Sequence, residues 1–409
     1  MNRAASTSNH KLTSLISPLA AGLLFMALLF AGCGGDNNSS PPKPTATPTP
    51  TINVSLWVAN GTNVLEFAPS QLLIQGATSP VPQLTLANPA FGSPQGVTFD
   101  AAGDLWVIDG GTLGSGGTVP PGLDEFTPAQ LVASKNNGFP SSGPVTGLSP
   151  NVTINSPGFF TFPQQAAFDS KGDLWVSDNG SNAVFEFTPA QLAASNSNVT
   201  PNVGFISSPA FSGPLGITFD SAGNLWVANN ASTTIFEFNA ASLPTGTLSL
   251  TGLLSGPVLT PNIVLADDGN GSIQGPWALA FDSSGNLWSS NASTPFTIVE
   301  FAKSSLIPLP PGLNASVVPA VTIDPMQAAG LPSLNSPNGI AFDNLGDLAA
   351  ANSLAPFSIA LFQNPQLIIN ARFDAHYTSF GPTGVPNVFF SGAATTLNAP
   401  AGVTFGPVH

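Results

Sequence analysis

Six registered copies of one short motif, four strand-like runs in each copy and a final motif divided between the chain ends predict an all-β fold. The fold is a six-bladed β-propeller with four antiparallel strands per blade. The full copies are GVTFDAAGDLWVID (Gly96 to Asp109), AAFDSKGDLWVSD (Ala166 to Asp178), GITFDSAGNLWVAN (Gly216 to Asn229), LAFDSSGNLWSSN (Leu279 to Asn291) and GIAFDNLGDLAAAN (Gly339 to Asn352). The half-copies are SLWVAN (Ser55 to Asn60) at the start and GVTFG (Gly402 to Gly406) at the end. Phe99, Phe168, Phe219, Phe281, Phe342 and Phe405 recur at one motif position, spaced by roughly 50 to 70 residues. If the C-terminal half-copy pairs with the N-terminal strands, the ring closes without an open edge.

Each run has a reason to be an element. Strand a (GITF in the third full copy) and strand b (NLWV) flank Asp-x-x-Gly, where the carboxylate can accept turn amides and Gly can take a positive φ, so a hairpin is expected. These turn aspartates are Asp100, Asp169, Asp220, Asp282 and Asp343. Strand c is a short apolar run such as VLEF (Val64 to Phe67) or IFEF (Ile235 to Phe238). After it comes a segment like FTPAQL (Phe126 to Leu131), in which Thr can cap and Pro can open a brief helical turn. Strand d follows a variable loop and reads TPNVGF (Thr200 to Phe205) or TPNIVL (Thr260 to Leu265). One Trp position in strand b, held by Trp57, Trp106, Trp175, Trp226 and Trp288, becomes Ala349 in the last copy. Aromatics fixed at one strand position read as core between blades.

Composition fits many turns and few helices: 7% of residues are charged, and Gly and Pro number 41 each. A net charge of −14 with seven Lys and Arg offers no basic face for phosphates, so nucleic acid is not an expected partner. Residues 1–32 carry Arg3, Lys11 and the apolar run AAGLLFMALLFAG (Ala20 to Gly32), the form of a secretory signal. Cys33 is the one cysteine, so no intrachain disulfide can form. Residues 33–51 include the Pro- and Thr-rich DNNSSPPKPTATPTPT (Asp36 to Thr51), an extended spacer, and residues 52–409 hold the blades.

Two resemblances extend this reading. LLFAGC (Leu28 to Cys33) resembles the lipobox of bacterial lipoproteins, with Phe30 where Leu is usual. The resemblance implies palmitate-type acylation of Cys33, a membrane partner reached through that lipid anchor and, with Gly34 rather than Asp next, an outer-membrane address. The pattern P-x-G-I-x-F-D-x-x-G-N-L-W-V-A-N is similar to the NHL repeat and to the blades of gluconolactonase-like and streptogramin-lyase-like propellers, over residues 52 to 409. It implies the fold and leaves the task open, because propellers host unrelated functions.

Antiparallel connectivity puts the b–c and d–a loops at one end of the ring, so two sets of residues should crowd the channel mouth there. The position after strand b holds Asn60, Asp109, Asp178, Asn229, Asn291 or Asn352. These could line a ligand site or end the strand by bonding their own backbone. The position before strand a holds Gln95, Gln164, Leu215, Trp277, Asn338 or Ala401, and its variety makes it the better candidate for a polar ligand such as a glycan. Asp267, Asp268 and Asn270 in one d–a loop are weak candidates for Ca²⁺. The resemblance to gluconolactonase-like propellers implies a divalent metal near the axis, with Asn338 at a matching position but no carboxylate at the equivalent places. Streptogramin lyases use paired His and Glu, whereas the histidines after the signal are His376 and His409. General acid or base work would fall to Asp109 or Asp178 with a raised pKa. The favoured expectation is a monomeric binding or scaffold module with no resident cofactor, for a small polar molecule, glycan or envelope protein. The alternative is a metal-dependent lactonase or a streptogramin-lyase-like enzyme.

Overall fold

A computed structural model describes residues 52–409 apart from 74–75, 90, 113–118, 137–144, 147, 208–209, 246–257, 309–313, 326, 329–330, 364–387 and 392–394. The signal, Cys33, the spacer and His376 lie outside the described residues. Six blade sheets arise within the compact unit Pro50–His409. Blade 1 joins strand a Pro400–Pro407 to strands b Val54–Asn60, c Asn63–Phe67 and d Leu84–Ala87. Blade 2 uses Pro94–Phe99, Leu105–Asp109, Gly122–Phe126 and Val152–Asn155 in the same order. Strand a of blades 3 to 6 is Pro163–Phe168, Pro214–Phe219, Pro276–Phe281 and Pro337–Phe342. Among the described residues no helix is long and apolar enough to cross a membrane.

The expected ring closure is observed. Leu56 pairs with Phe405 and Val58 with Val403, so the two chain ends share one antiparallel sheet. Closure also demands close approach of the inner strands. A Cβ on Gly402 would stand 2.7 Å from the Gln95 carbonyl oxygen in blade 2, so only glycine fits where these backbones touch.

Blades are wedged together by the strand b tryptophans. Each indole packs edge-on against the strand a Phe of the next blade: Trp57 on Phe99, Trp106 on Phe168, Trp175 on Phe219, Trp226 on Phe281 and Trp288 on Phe342. The centroids are 5.6 to 6.3 Å apart. Burying an indole leaves its N–H in need of an acceptor. The hairpin Asp of the same blade supplies it, with Nε1 donating to Oδ2 of Asp100, Asp169, Asp220 or Asp282 at 3.1 to 3.4 Å. Oδ1 of the same carboxylate accepts two turn amides, in blade 2 those of Ala102 and Asp104. One carboxylate thus shapes the hairpin and fixes the wedge.

The two blades beside the closing seam break this pair in opposite ways. In blade 1, Gly406 replaces the Asp because the Phe99 ring occupies the space a Cβ would need, and the buried Trp57 Nε1 has no acceptor. In blade 6, Ala349 replaces the Trp, and the buried Asp343 Oδ2 has no donor.

The strand c glutamates, opposite the tryptophans in the ladder, are buried as well. The Asn of the strand d motif serves them: Asn151 donates to Glu125 at 2.9 Å and Asn202 to Glu186 at 2.7 Å. In blade 5 Ala320 stands where that Asn would be, and burial pushes Glu300 up to about 7.

The variable c–d loops carry an element absent from the sequence reading. Those of blades 1, 2, 4 and 5 reach back and add a short parallel strand to the outer edge of the preceding blade. Val145–Thr146 caps strand d of blade 1, Val258–Leu259 caps blade 3, Ala315–Ser316 caps blade 4, and Gly76–Thr78 caps blade 6. An isolated bridge from Asn196 to Ile154 does the same for blade 2. Among the described residues the outer edges of five blades, all but that of blade 5, are thereby covered.

The Asp–Trp pair predicts an asymmetry between two identical substitutions. Trp226→Phe breaks a buried hydrogen bond, whereas Trp57→Phe removes a donor that has no acceptor, so Trp226→Phe should cost more by about 1 kcal/mol. Urea unfolding of both variants measures this, and equal losses would contradict the pairing.

Candidate functional site

The residues after strand b do not open onto solvent. All six are at most 1% exposed, and each accepts backbone amides from the d–a loop that enters its own blade. Asn398 N donates to Asn60, Ser212 N to Asn229, Gln274 N to Asn291 and Asn335 N to Asn352, at 2.5 to 2.9 Å. Asp109 accepts from Gly92, Ser93 and Gly111, and Asp178 from Thr161, Phe162 and Ser181. This ring ties loop to strand in every blade. Burial raises Asp109 and Asp178 above the ordinary carboxylate range, and the amide bonds oppose that rise.

The residues before strand a are also withdrawn. Gln164, Leu215, Asn338 and Ala401 are buried, while Gln95 and Trp277 are half-buried. The Gln95 amide donates to Ser93, and Asn338 Oδ1 accepts from the Ser336 hydroxyl at 3.0 Å. Gln165 reaches across the ring and donates to the carbonyl oxygen of Asn338, in the opposite blade, at 3.4 Å. The channel below this crossing has a volume of about 280 Å³ and is lined by inner-strand side chains such as Ile217, Leu279, Phe342, Thr98 and Thr218. No carboxylate or His is in that lining, so the residues do not fit a divalent cation on the axis. In the d–a loop of blade 5, Asp267 accepts from Ser272, Ile273 and Gln274, and Asp268 from Asn270. These oxygens serve the loop itself. Among the described residues no group of three or more His, Cys, Asp or Glu could hold a metal ion.

A different feature departs from the repeat. Residues Leu65, Phe185, Phe236, Val299 and Ala360 occupy one strand c position and are buried in the seams between blades. In blade 2 that position is Asp124. It is 4% exposed, and its Oδ1 accepts from the Thr153 hydroxyl at 2.6 Å. Around it is a pocket of about 310 Å³ lined by Pro89, Val119, Pro120 and Gly122 together with Asp109, Asp124, Thr153 and Asn155.

Sheet register explains why the polar groups converge. Asp109 pairs with Gly122 and Gly122 with Asn155, while Asp124 pairs with Thr153, so all lie on one face of blade 2. The same face carries Leu105, Val107 and Phe126, which pack on Leu84, Leu86 and Phe91 at the seam with blade 1. Gly122 lets the Asn155 amide lie across the strand, since a Cβ there would sit 2.5 Å from Nδ2. Burial, with a further contribution from the charge of Asp109, pushes Asp124 up to about 7, against the opposing bond from Thr153. Asp109 was legible as a candidate, but Asp124, Thr153 and Asn155 were not. The available signal was LDEF (Leu123 to Phe126) set beside VLEF and IFEF, where an acid takes an apolar place.

The raised value has a sign. A carboxyl held above its ordinary value binds its proton more tightly in the folded chain, so its contribution is complete below about pH 4 and is lost as pH rises through about 7. Relative to Asp124→Asn, the wild-type protein should lose up to about 4 kcal/mol across that window. Urea unfolding at several pH values tests it, and a pH-independent difference would refute it.

No protein-family model matches the chain, and no curated protein does either. Among solved structures, the chain is similar to a streptogramin B lyase at 13% identity, over 74% of this chain and 77% of that one, with a TM-score of 0.43. A putative 6-phosphogluconolactonase from Bacteroides uniformis shares 13% identity over 86% of this chain and 99% of that one, with a TM-score of 0.43. A functionally unknown protein from Desulfotomaculum acetoxidans shares 12% identity over 87% of this chain and all of its own (100%), with a TM-score of 0.48. The strand pairing, rather than these likenesses, establishes the six-bladed propeller.

Proposed function

We propose that the chain is an extracytoplasmic lipoprotein, anchored through acylated Cys33, whose propeller binds a small polar ligand in the pocket on blade 2. One observation carries the binding reading: a buried acid stands in a pocket at a position the other five blades fill with Leu, Phe, Val or Ala. A repeat protein that needed only a core would place an apolar residue there, because an unpaired buried carboxylate is costly. The volume is near the lower end of the usual range for ligand pockets, about 300 to 1,000 Å³. The lipobox-like LLFAGC and the Pro- and Thr-rich spacer support the anchored address.

The site is a pocket rather than a reaction centre. Asp109 holds loop amides with both oxygens, and the described His409 packs near Trp57 and Phe99 at the closing blade, away from Asp124. The pocket lining holds no His, Cys, Ser or Lys, and its one hydroxyl, that of Thr153, is taken up by the bond to Asp124.

Thermal unfolding with a panel of small sugars, amino acids, organic acids and amines tests the reading on the full chain. A ligand at a hundred times its dissociation constant stabilises by about 2.7 kcal/mol, which moves the midpoint by several degrees. At least one class should raise the midpoint of the wild type and leave Asp124→Leu unmoved. No shift with any class, or an equal shift in the variant, would overturn it.

A further inference from the structure

The pocket on blade 2 has an unbalanced chemistry. Two side-chain oxygens in its lining, Asp124 Oδ2 and Asn155 Oδ1, take no hydrogen bond among the described residues. Both Asp109 oxygens hold backbone amides, and Asp124 Oδ1 holds the Thr153 hydroxyl. Among the described residues Asp124 Oδ2 takes no hydrogen bond, although the side chain is 96% buried by its 4% exposure and lines the pocket. Asn155, also in the lining, donates Nδ2 to the Pro121 carbonyl oxygen at 3.2 Å, and among the described residues its Oδ1 takes no hydrogen bond, which leaves a second acceptor. Pro89 and Pro120 form part of the wall and have no N–H to give.

Charge points the same way. Two carboxylates line the pocket and no Lys or Arg does. Lys171 and Lys303, the lysines whose side chains are described, belong to the other end of the ring, in or beside the a–b hairpins of blades 3 and 5. The titratable group facing Asp124 is Asp109. The blade 1 wall opposite brings Leu84, Leu86 and Phe91, so nothing there neutralises either acid. Two carboxyls are too few for a dedicated divalent site, which calls for six or more oxygens on Ca²⁺. A donor-rich organic cation satisfies both needs at once.

We propose that this pocket selects a small organic cation, a primary ammonium compound, through N–H donation to Asp124 Oδ2 and Asn155 Oδ1. The assignment rests on the reading of the pocket as a ligand site and names the class it takes. Binding of the cation favours the ionised carboxyl, so affinity rises with pH through the range where Asp124 loses its proton, and the positive charge also offsets Asp109.

Calorimetric titration of the full chain in detergent tests this with two matched pairs: 1,4-diaminobutane against 1,4-butanediol, and glucosamine against glucose. At about pH 8 at least one amine should bind at least about tenfold more tightly than its neutral twin, and at about pH 5.5 that preference should shrink by a similar factor. Asp124→Asn, which keeps the shape, should abolish the preference, and Asp124→Leu, which restores the residue type of the repeat, should abolish binding. Neutral twins that bind as tightly as the amines, or a preference that survives in Asp124→Asn, would overturn the assignment while leaving the pocket a ligand site. Absence of binding by all four would overturn the cation assignment, whereas the broader reading stands or falls on the wider thermal panel.

Discussion

Five of the six seams between blades depend on the contact between a strand b indole and the strand a Phe of the next blade, and in four of them the hairpin carboxylate that takes the indole N–H locks it. An edge-to-face pair contributes about 0.5 to 1.5 kcal/mol beyond area burial. Five such seams therefore supply a large part of the cohesion between sheets that are otherwise separate. The carboxylate also writes the turn, which explains why Asp-x-x-Gly and the Trp recur together. The exceptions obey the same geometry. Where Phe99 presses on the backbone Asp is impossible, and Trp57 goes without a partner. Where Ala349 replaces Trp, Phe405 packs into a cluster with Leu345 and Leu361 instead.

Closure is secured twice. The inner strand of blade 1 comes from the C-terminus, and the outer edge of blade 6 receives Gly76–Thr78 from the loop of blade 1. The inner pairing brings the chain ends into one sheet, and the outer cap ties the same two blades at the rim. A ring held at hub and rim leaves little freedom between blades, so a pocket built across a seam keeps its shape.

Much of this was legible because strand patterns alternate with period two and the hairpin demands fixed residues: strands a to d, the split blade and the core role of Trp226 follow from that alone. The rim strands were not. Two-residue pairings such as Val145–Thr146 carry no periodicity, and their partner lies in another blade. The channel mouth misled for a related reason. Asn229 and Asp109 are polar at a mouth-like position, yet loop amides seventeen residues earlier consume them. The crossing of Gln165 to Asn338 depends on a blade half a ring away, which no local pattern encodes. Asp124 was hidden in plain alternation, since an acid in one apolar run stands out only when six runs are set in register.

Repetition makes that acid informative. Five copies show what the fold requires at the Asp124 position, and the sixth declines it at a cost in buried charge. The direct measurement is the unfolding free energy of Asp124→Leu against wild type at about pH 8, where the acid is ionised. A site kept for a ligand predicts that the variant is more stable, by about 1 kcal/mol or more, because the substitution fills the pocket and removes the buried carboxylate. A variant less stable than wild type would show that Asp124 serves the fold, and would contradict the account.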